Sequence, residues 1–179
     1  MEYCMKLLPD AKVVRTHALY QHSNLLWKMR NRYAIEVDCS LFLPMTPNIV
    51  PHTVCHSAAE TPLVRIPFIW EDDVECLRPN PSWNLPDDFW STTGIKMFNF
   101  HPFYVGINET DFSRYMKVKS DLCKVKKLFE LTPEELAPFM STQRGAGTFF
   151  RSLLSEVYDR GVPTFWPTEI AAEYLTESN

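Results

Sequence analysis

Short apolar runs separated by polar residues mark the start of the chain, and two of them flank an amphipathic stretch. "KVVR", residues 12–15, and "AIEVDCS", residues 34–40, have the length and apolar content of short buried strands. Between them, "SNLLWKMRNR" places three apolar side chains on one helical face after Ser23, a candidate N-cap. This order predicts a strand–helix–strand unit over residues 11–40, with parallel strands and a right-handed crossover.

The next apolar runs lie among long, proline-rich loops. Residues 44–61 are predicted to be loop, and "PLVRIPFIW", residues 62–70, is a third strand candidate that Pro67 places at a sheet edge or a bulge. Residues 71–92 form a long acidic and aromatic loop, and a further strand is predicted from Ile95 to His101. Loops of this length within a compact domain are commonly functional.

Beyond residue 108 the apolar spacing becomes helical. Helices are predicted over residues 111–129, from a capping box at Thr132, over residues 148–160 before Gly161, and over residues 168–175. The whole pattern therefore predicts an α/β fold in which a mostly parallel sheet is followed by C-terminal helices.

Composition narrows the class of protein. A net charge of −4 and a pI near 5.7 provide no positive field for nucleic acid or an anionic membrane. No apolar run reaches the ~20 residues that a membrane span needs. The five cysteines form no CxxC pair, and the start has no signal-peptide pattern. We expect one domain over residues 1–179, located in the reducing cytoplasm.

Four polar residues at predicted strand ends are the main candidates for catalysis. Arg15 and His17 flank the end of the first strand, Asp38 ends the next, and His101, followed directly by Pro102, ends the last. Side chains at the carboxyl ends of parallel strands line the ligand crevice of α/β folds. We therefore predict that Arg15, Asp38 and His101 converge at one end of the sheet. The alternatives are a structural histidine bonded to a neighbouring carbonyl and a surface salt bridge of Arg15.

The segment "WEDD" supplies candidates for substrate binding. Trp70 could stack on a sugar ring, while Asp72 and Asp73, next to Glu71, could bind a sugar hydroxyl or a cation. A core position for the tryptophan and a solvated acidic loop are the alternatives.

Two weaker motifs stand apart from these residues. "HTVCH" has the i, i+4 spacing of a helical metal pair, but the prolines and β-branched residues around it make a helix doubtful. "RGAGT", just before a predicted helix, could hold an anion or form a flexible start of the helix.

Four longer stretches together resemble a polysaccharide deacetylase-like family from bacterial surface-polysaccharide gene clusters. They are "PDAKVVRTHALYQHSNLLWKMRNRYAIEVDCSLFLP", "PLVRIPFIWEDD", "KMFNFHPFYVGINETD" and "GTFFRSLLSEV", and "RIPxxWEDD" and "FHP" are the most specific. The resemblance implies a distorted (β/α) barrel, a divalent metal (commonly zinc) held by an aspartate and two histidines, and an amino-sugar or polysaccharide substrate. By position, Arg15 resembles the middle-motif arginine, Asp38 the supporting acid and His101 the late catalytic histidine.

The chain departs from that family where the metal is bound. The family's paired aspartates and H-[ST]-x-x-H motif lie upstream of the arginine motif, so the chain resembles the C-terminal two thirds of such a domain, a partial barrel. We assign no metal ligand in this chain and expect it not to bind the metal alone. Another register matches Asp38, "HTVCH", "RIPF" and "FNFHP" to all the motifs, but eight residues between His56 and Arg65 are too few for a parallel crossover.

Two functions follow from the resemblance. The first is metal-dependent hydrolysis of N-acetyl groups on amino sugars, inactive in this chain by itself unless a completing chain or segment supplies the missing motifs. The second is a non-catalytic sugar-binding or assembly protein. Unpaired strand edges of a partial barrel also predict a homo-oligomer or a completing chain.

Overall fold

The computed structural model describes residues 1–55 and 61–177, which fall into two compact units. The first unit contains Met1–Ile69, Thr92–Met97 and Thr164–Asn179, and the second contains Trp70–Ser91 and Phe98–Pro163. Both units mix strands with helices, so the predicted α/β class is confirmed. In the described part of the chain, no helix combines the length and the apolar character needed to cross a membrane.

The strands are short and the helices range from one turn to four. The strands are β1 Val13–Val14, β2 Val37–Asp38, β3 His52–Val54, β4 Leu63–Arg65, β5 Trp70–Glu71 and β6 Phe98–Asn99. The α-helices are α1 Glu2–Leu7, α2 Ser23–Tyr33, α3 Asp72–Cys76, α4 Pro102–Ile107, α5 Ser113–Asp121, α6 Pro133–Leu136, α7 Ala146–Asp159 and α8 Pro167–Glu177. Single 3₁₀ turns are formed by His17–Leu19, Phe89–Ser91, Leu128–Glu130 and Ala137–Phe139.

The first unit is built on a four-stranded sheet with the order β1-β2-β4-β3. β1 and β2 are parallel and α2 connects them, as the strand–helix–strand pattern predicts. β2 and β4 are also parallel, whereas β3 is antiparallel to β4. The sheet is therefore mostly parallel, as predicted.

Alternate strand residues point to opposite sides, and both faces of this sheet carry apolar side chains. Helices therefore cover both faces. On one face, Leu63 packs with Leu26 and Met29 of α2. On the other, Val37 and Val64 pack in a cluster with Ala171 and other residues of α8. The core of the first unit thus consists of two apolar layers.

The predicted third strand, residues 62–70, is divided between two sheets. β4 ends at Arg65, ahead of Pro67, which lacks the N–H that a ladder needs. β4 is an inner strand of its sheet, so of the two predicted positions of Pro67, a sheet edge or a bulge, the edge is wrong. The chain then begins β5 at Trp70, which belongs to the second unit.

The second unit combines the parallel pair β5-β6 with an aromatic core. Trp70 is 5% exposed, and its ring lies 4.7 Å from Phe149 of α7 and 5.0 Å from Phe100. The helix α7 also packs closely on α4: a Cβ at Gly147 would strike the carbonyl oxygen of Val105. Large rings and closely approaching backbones therefore hold the unit together.

Two predicted elements are shorter than expected. The strand predicted to run to His101 is β6 alone, and His101 is instead the N-cap residue of α4. The predicted helix 111–129 is α5, which ends at Asp121. Beyond it, Val125 and Phe129 are 90% and 81% exposed, so these apolar positions do not extend a buried helical face.

Candidate functional site

His101 and Asp72 form a polar pair of the second unit that is joined by two hydrogen bonds. Asp72 follows β5 directly, and the parallel register of β5 with β6 brings it to the residue two places beyond β6. The Nδ1 atom of His101 lies 2.6 Å from Oδ1 of Asp72. The backbone N–H of His101 also donates to Oδ2 of Asp72, over 2.7 Å. Asp72 thus holds both the backbone and the ring of the histidine.

Burial differs sharply between the two partners. The Asp72 side chain is fully buried, whereas the His101 side chain is 35% exposed. A carboxylate only accepts hydrogen bonds, so Nδ1 carries the proton of their bond and Nε2 is the ring nitrogen left for other contacts. Asp72 therefore fixes both the orientation and the tautomer of the imidazole.

The surroundings favour the protonated imidazole. The hydrogen bond to Asp72 raises the pKa of His101, burial opposes this effect, and the charges of Asp72, Asp73 and Glu71 add to the rise. A histidine whose pKa is raised keeps its proton at higher pH and can donate it to a bound group.

Glu71, Asp73 and His101 form a cluster that could hold a metal ion. Each offers one ligand atom, and the three atoms lie within 4.8 Å of one another. Oδ1 of Asp73 is buried and has no hydrogen-bond partner among the described residues. Two carboxylates and an imidazole are ligands that divalent cations accept. The donor set therefore fits a divalent ion, although it is not the aspartate and two histidines that the resemblance implies.

A second buried polar pair, Asp38 and Arg65, joins β2 and β4 of the first unit. Nε of Arg65 donates to Oδ2 of Asp38 over 2.8 Å, and the two residues are 9% and 0% exposed. Arg65 also donates to the side chain of Gln21, and the backbone N–H of Ser40 donates to Oδ1 of Asp38. Asp38 is therefore a buried carboxylate that accepts hydrogen bonds from an arginine side chain and from the backbone.

Comparison with known proteins identifies the family to which these residues belong. The sequence model of the WbmS-like polysaccharide deacetylases matches residues 1–119 of the chain. The chain belongs to the WbmS-like polysaccharide deacetylase family. The search of curated proteins found no match to it in sequence.

A solved structure supports the same assignment for this WbmS-like chain. It is the crystal structure of a Bordetella bronchiseptica protein, WbmS, described as a polysaccharide deacetylase involved in O-antigen biosynthesis. The two chains are 29% identical and superpose with a TM-score of 0.68. The match covers 87% of this chain and 60% of the other, so the WbmS-like chain corresponds to little more than half of that protein.

The predicted catalytic residues are distributed over both units. Arg15, His17 and Asp38 lie in the first unit and His101 lies in the second, so their convergence stays a prediction. The arginine that pairs with Asp38 is Arg65. Arg15 and His17 are exposed, and the charge of Arg15 reaches Cys39 next to Asp38.

The substrate-binding candidates have different environments. Trp70 is buried among other aromatic rings, which is the core alternative of the sequence analysis. Asp72 is occupied by His101, and Asp73 is half-buried with one unpaired oxygen. No sugar contact of these three residues is tested by the structure, so their role in binding stays a prediction.

The strand register of the first unit supports the other register of the motifs. Arg65 faces Asp38 on β2 and His52 on β3, so the three residues form a row on one side of the sheet. Burial, followed by the charge of Arg65, lowers the pKa of His52. Because β3 and β4 are antiparallel, no parallel crossover is needed between them, and the spacing argument against this register was wrong. His56 itself lies outside the described residues.

The glycines of "RGAGT" serve packing in the described structure. The N–H of Ala146 donates to the carbonyl of Glu109 and that of Thr148 donates to the side chain of Asn108. A Cβ at Gly145 would lie 2.5 Å from the carbonyl oxygen of Glu109. Donors at the start of α7 are thus engaged by the protein, which argues against the anion alternative.

Sequence reasoning missed the composition of the acidic cluster. It treated Glu71, Asp72 and Asp73 as one loop and His101 as the end of a distant strand. The available signal was the relative direction of the two predicted strands. If β5 and β6 are parallel neighbours, the residues that follow them lie close together at one end of the pair.

Proposed function

We propose that the chain carries the proton-donating part of a metal-dependent N-deacetylase that acts on amino sugars of a surface polysaccharide. The observation that carries this proposal is the hold of buried Asp72 on both the ring and the backbone of His101. Family membership and the likeness to WbmS support the reaction class. Localisation in the cytoplasm and a polysaccharide substrate belong to the same proposal.

The reaction hydrolyses an amide. The oxygen of water bonds to the acyl carbon, the C–N bond breaks, and the amine leaves with a proton while the acyl group departs as acetate. Of the two protons that the water loses, one restores the proton that His101 gives to the amine, and the other is released to solvent. A divalent metal, when bound, supplies Lewis-acid polarisation of the acyl carbonyl. His101, through Nε2, donates the proton to the departing amine, and Asp72 stabilises the imidazolium that gives it.

The remaining predicted residues have supporting roles in this proposal. Asp38, held by Arg65, is the carboxylate to which the resemblance gives the supporting position. Arg15 and His17 are proposed to contribute charge and hydrogen bonds from the end of β1. The finer fold that we propose is the distorted (β/α) barrel, with the sheet of the first unit as one part. The family's zinc would be held by ligands from a completing chain or segment.

Acetate release from an N-acetylated amino-sugar oligosaccharide tests the proposal. We expect no acetate release by the purified chain alone. We expect acetate release when the chain is isolated from its native host together with any chain that is bound to it. The variant His101→Ala should abolish that activity. Asp87→Ala, which changes an exposed residue of the same unit, should not.

Three outcomes would contradict the proposal. Undiminished acetate release by His101→Ala would show that His101 is not the proton donor. Activity of the chain alone that is lost in His52→Ala would favour the other register of the motifs. Oligosaccharide binding without acetate release under every condition would favour the non-catalytic sugar-binding function.

A further inference from the structure

The cluster of Glu71, Asp73 and His101 has features beyond those that proton donation requires. A proton donor needs one oriented imidazole, and Asp72 alone provides that orientation. The structure adds two more carboxylates, and their ligand atoms and that of His101 all lie within 4.8 Å of one another. Such convergence of three potential ligand atoms is the arrangement that a small cation would use.

We infer that Glu71, Asp73 and His101 form a divalent-cation site in this chain, bound through Nε2 of His101 and one oxygen from each carboxylate. The site differs in composition from the aspartate and two histidines of the resemblance. It also requires no residue outside the second unit, because all three ligands belong to it.

The contacts around the ligands match those of a metal-binding histidine. In such sites the ring nitrogen opposite the metal usually donates its proton to a carboxylate, which fixes the ring and makes the ligand more basic. Asp72 is bonded to Nδ1 of His101 over 2.6 Å and is fully buried. Nε2 is consequently the nitrogen that remains for the cluster.

The two carboxylates are also suited to the role. The side chain of Asn99 donates to Oε1 of Glu71, which helps to fix that carboxylate. Oδ1 of Asp73 is buried without a hydrogen-bond partner among the described residues. A buried oxygen that lacks a partner is costly, and a bound cation would relieve that cost. This unpaired oxygen is the observation, independent of the clustering, that points to a ligand.

Occupation of the site has a consequence for catalysis that rests on the proposed function. A lone pair of Nε2 that binds a cation cannot also carry the proton for a leaving amine. The cation-bound state and the proton-donating state of His101 therefore exclude each other, and a cation at this site would hold the enzyme inactive.

Manganese binding to the chain tests the site without reference to activity. Mn²⁺ prefers carboxylate oxygens, so the exposed thiols of Cys4 and Cys55 compete for it less than they would for zinc. Free Mn²⁺ is measured by electron paramagnetic resonance during a titration, and its proximity to His101 by broadening of the imidazole proton signals in NMR. We expect one saturable site per chain and selective broadening of the His101 signals.

Variants distinguish a built site from weak surface binding. Loss of a residue that only supports a metal ligand lowers metal affinity by about 10–100-fold. Asp73 is proposed as a ligand itself, so Asp73→Asn should weaken Mn²⁺ binding by at least as much. Asp87→Asn makes the same chemical change at an exposed position of the same unit and should leave binding unchanged. Glu71→Gln is the second ligand variant, and thermal melting of each variant confirms that it is folded.

The proposal is overturned if Mn²⁺ binding is not saturable, if Asp73→Asn and Asp87→Asn bind equally well, or if the His101 signals stay sharp at saturation. None of these outcomes depends on acetate release. A chain that binds Mn²⁺ as expected but is inactive with every partner would disprove the proposed deacetylase function and leave the cation site intact.

Discussion

At the scale of single residues, the site depends on one buried carboxylate. Asp72 has no exposed surface and accepts two hydrogen bonds from His101, one from the backbone and one from the ring. A buried carboxylate is stable only when its lone pairs are satisfied, so Asp72 and His101 constrain each other. The histidine is consequently oriented before any substrate binds.

The substitution Asp72→Asn should lower the pKa of His101. The side-chain hydrogen bond to Asp72 is the largest cause of the raised pKa, and the charge of Asp72 is another. An NMR pH titration of the His101 C2 proton, in the presence of a metal chelator, measures the change. Asp87→Asn should leave the titration unaltered, and an unchanged His101 pKa in Asp72→Asn would contradict the assignment.

The same shift gives the pH dependence of stability. Because the folded-state pKa of His101 lies above its ordinary value of 6.5, the imidazolium contributes stability in full below that value. The contribution is lost as pH rises through the raised pKa. It should be absent at every pH in His101→Ala.

At the scale of elements, the second unit depends on how closely helices approach each other. The backbone of α7 at Gly147 lies against the carbonyl of Val105 in α4, with no space for a side chain. Asn108, at the end of α4, donates to the carbonyls of Ser141 and Gln143 and thereby joins α4 to the segment before α7. Since α4 begins directly after His101, this packing also supports the position of the histidine.

Gly147→Ala should destabilise the protein, although alanine is the better helix former. The helix preference is worth about 1 kcal/mol. The new methyl group would lie 2.4 Å from the backbone carbonyl oxygen of Val105, and overpacking of this kind costs about 1–3 kcal/mol. The melting temperature measures the balance. Gly106→Ala is the matched control, because a Cβ there meets nothing within 4 Å, and it should raise stability by about 0.5–1 kcal/mol.

At the scale of the whole molecule, surface composition predicts association. Large apolar side chains are exposed at several places along the chain, including Leu8 at 67%, Phe129 at 81% and Trp166 at 74%. The edge strands β1 and β3 have only two and three residues, so unpaired backbone contributes less than these side chains. Large exposed apolar patches commonly mark surfaces that bind another protein.

Light scattering on the purified chain should therefore show dimers or larger assemblies. Leu8→Gln, which replaces one exposed apolar side chain in the segment after α1, should shift the distribution towards the monomer. A monomer that melts cooperatively at high protein concentration would show that these side chains do not drive association. It would also remove the need for a completing chain as an explanation of the exposed surface.

The sequence by itself determined the features that depend on neighbouring residues. The apolar runs around Ser23 predicted β1, α2 and β2 and their parallel pairing, which is confirmed. The capping box at Thr132 is present, with Thr132 and Glu135 bonded reciprocally. Such features are local because helix caps and periodicity act within a few residues.

Only the tertiary structure decided which side chains meet. His101 and Asp72 are 29 residues apart, and Arg65 and Asp38 are 27 apart, so no local pattern indicates either pair. Both pairs depend on strand register. A shift of one residue would turn Asp38 or Arg65 to the other face of its sheet, and it would separate Asp72 and His101, which follow β5 and β6. Register is fixed by the burial of Trp70, Val37 and Val64 in the cores of the two units. Packing of the apolar residues therefore selected the polar partners, and that selection is a property of the folded chain.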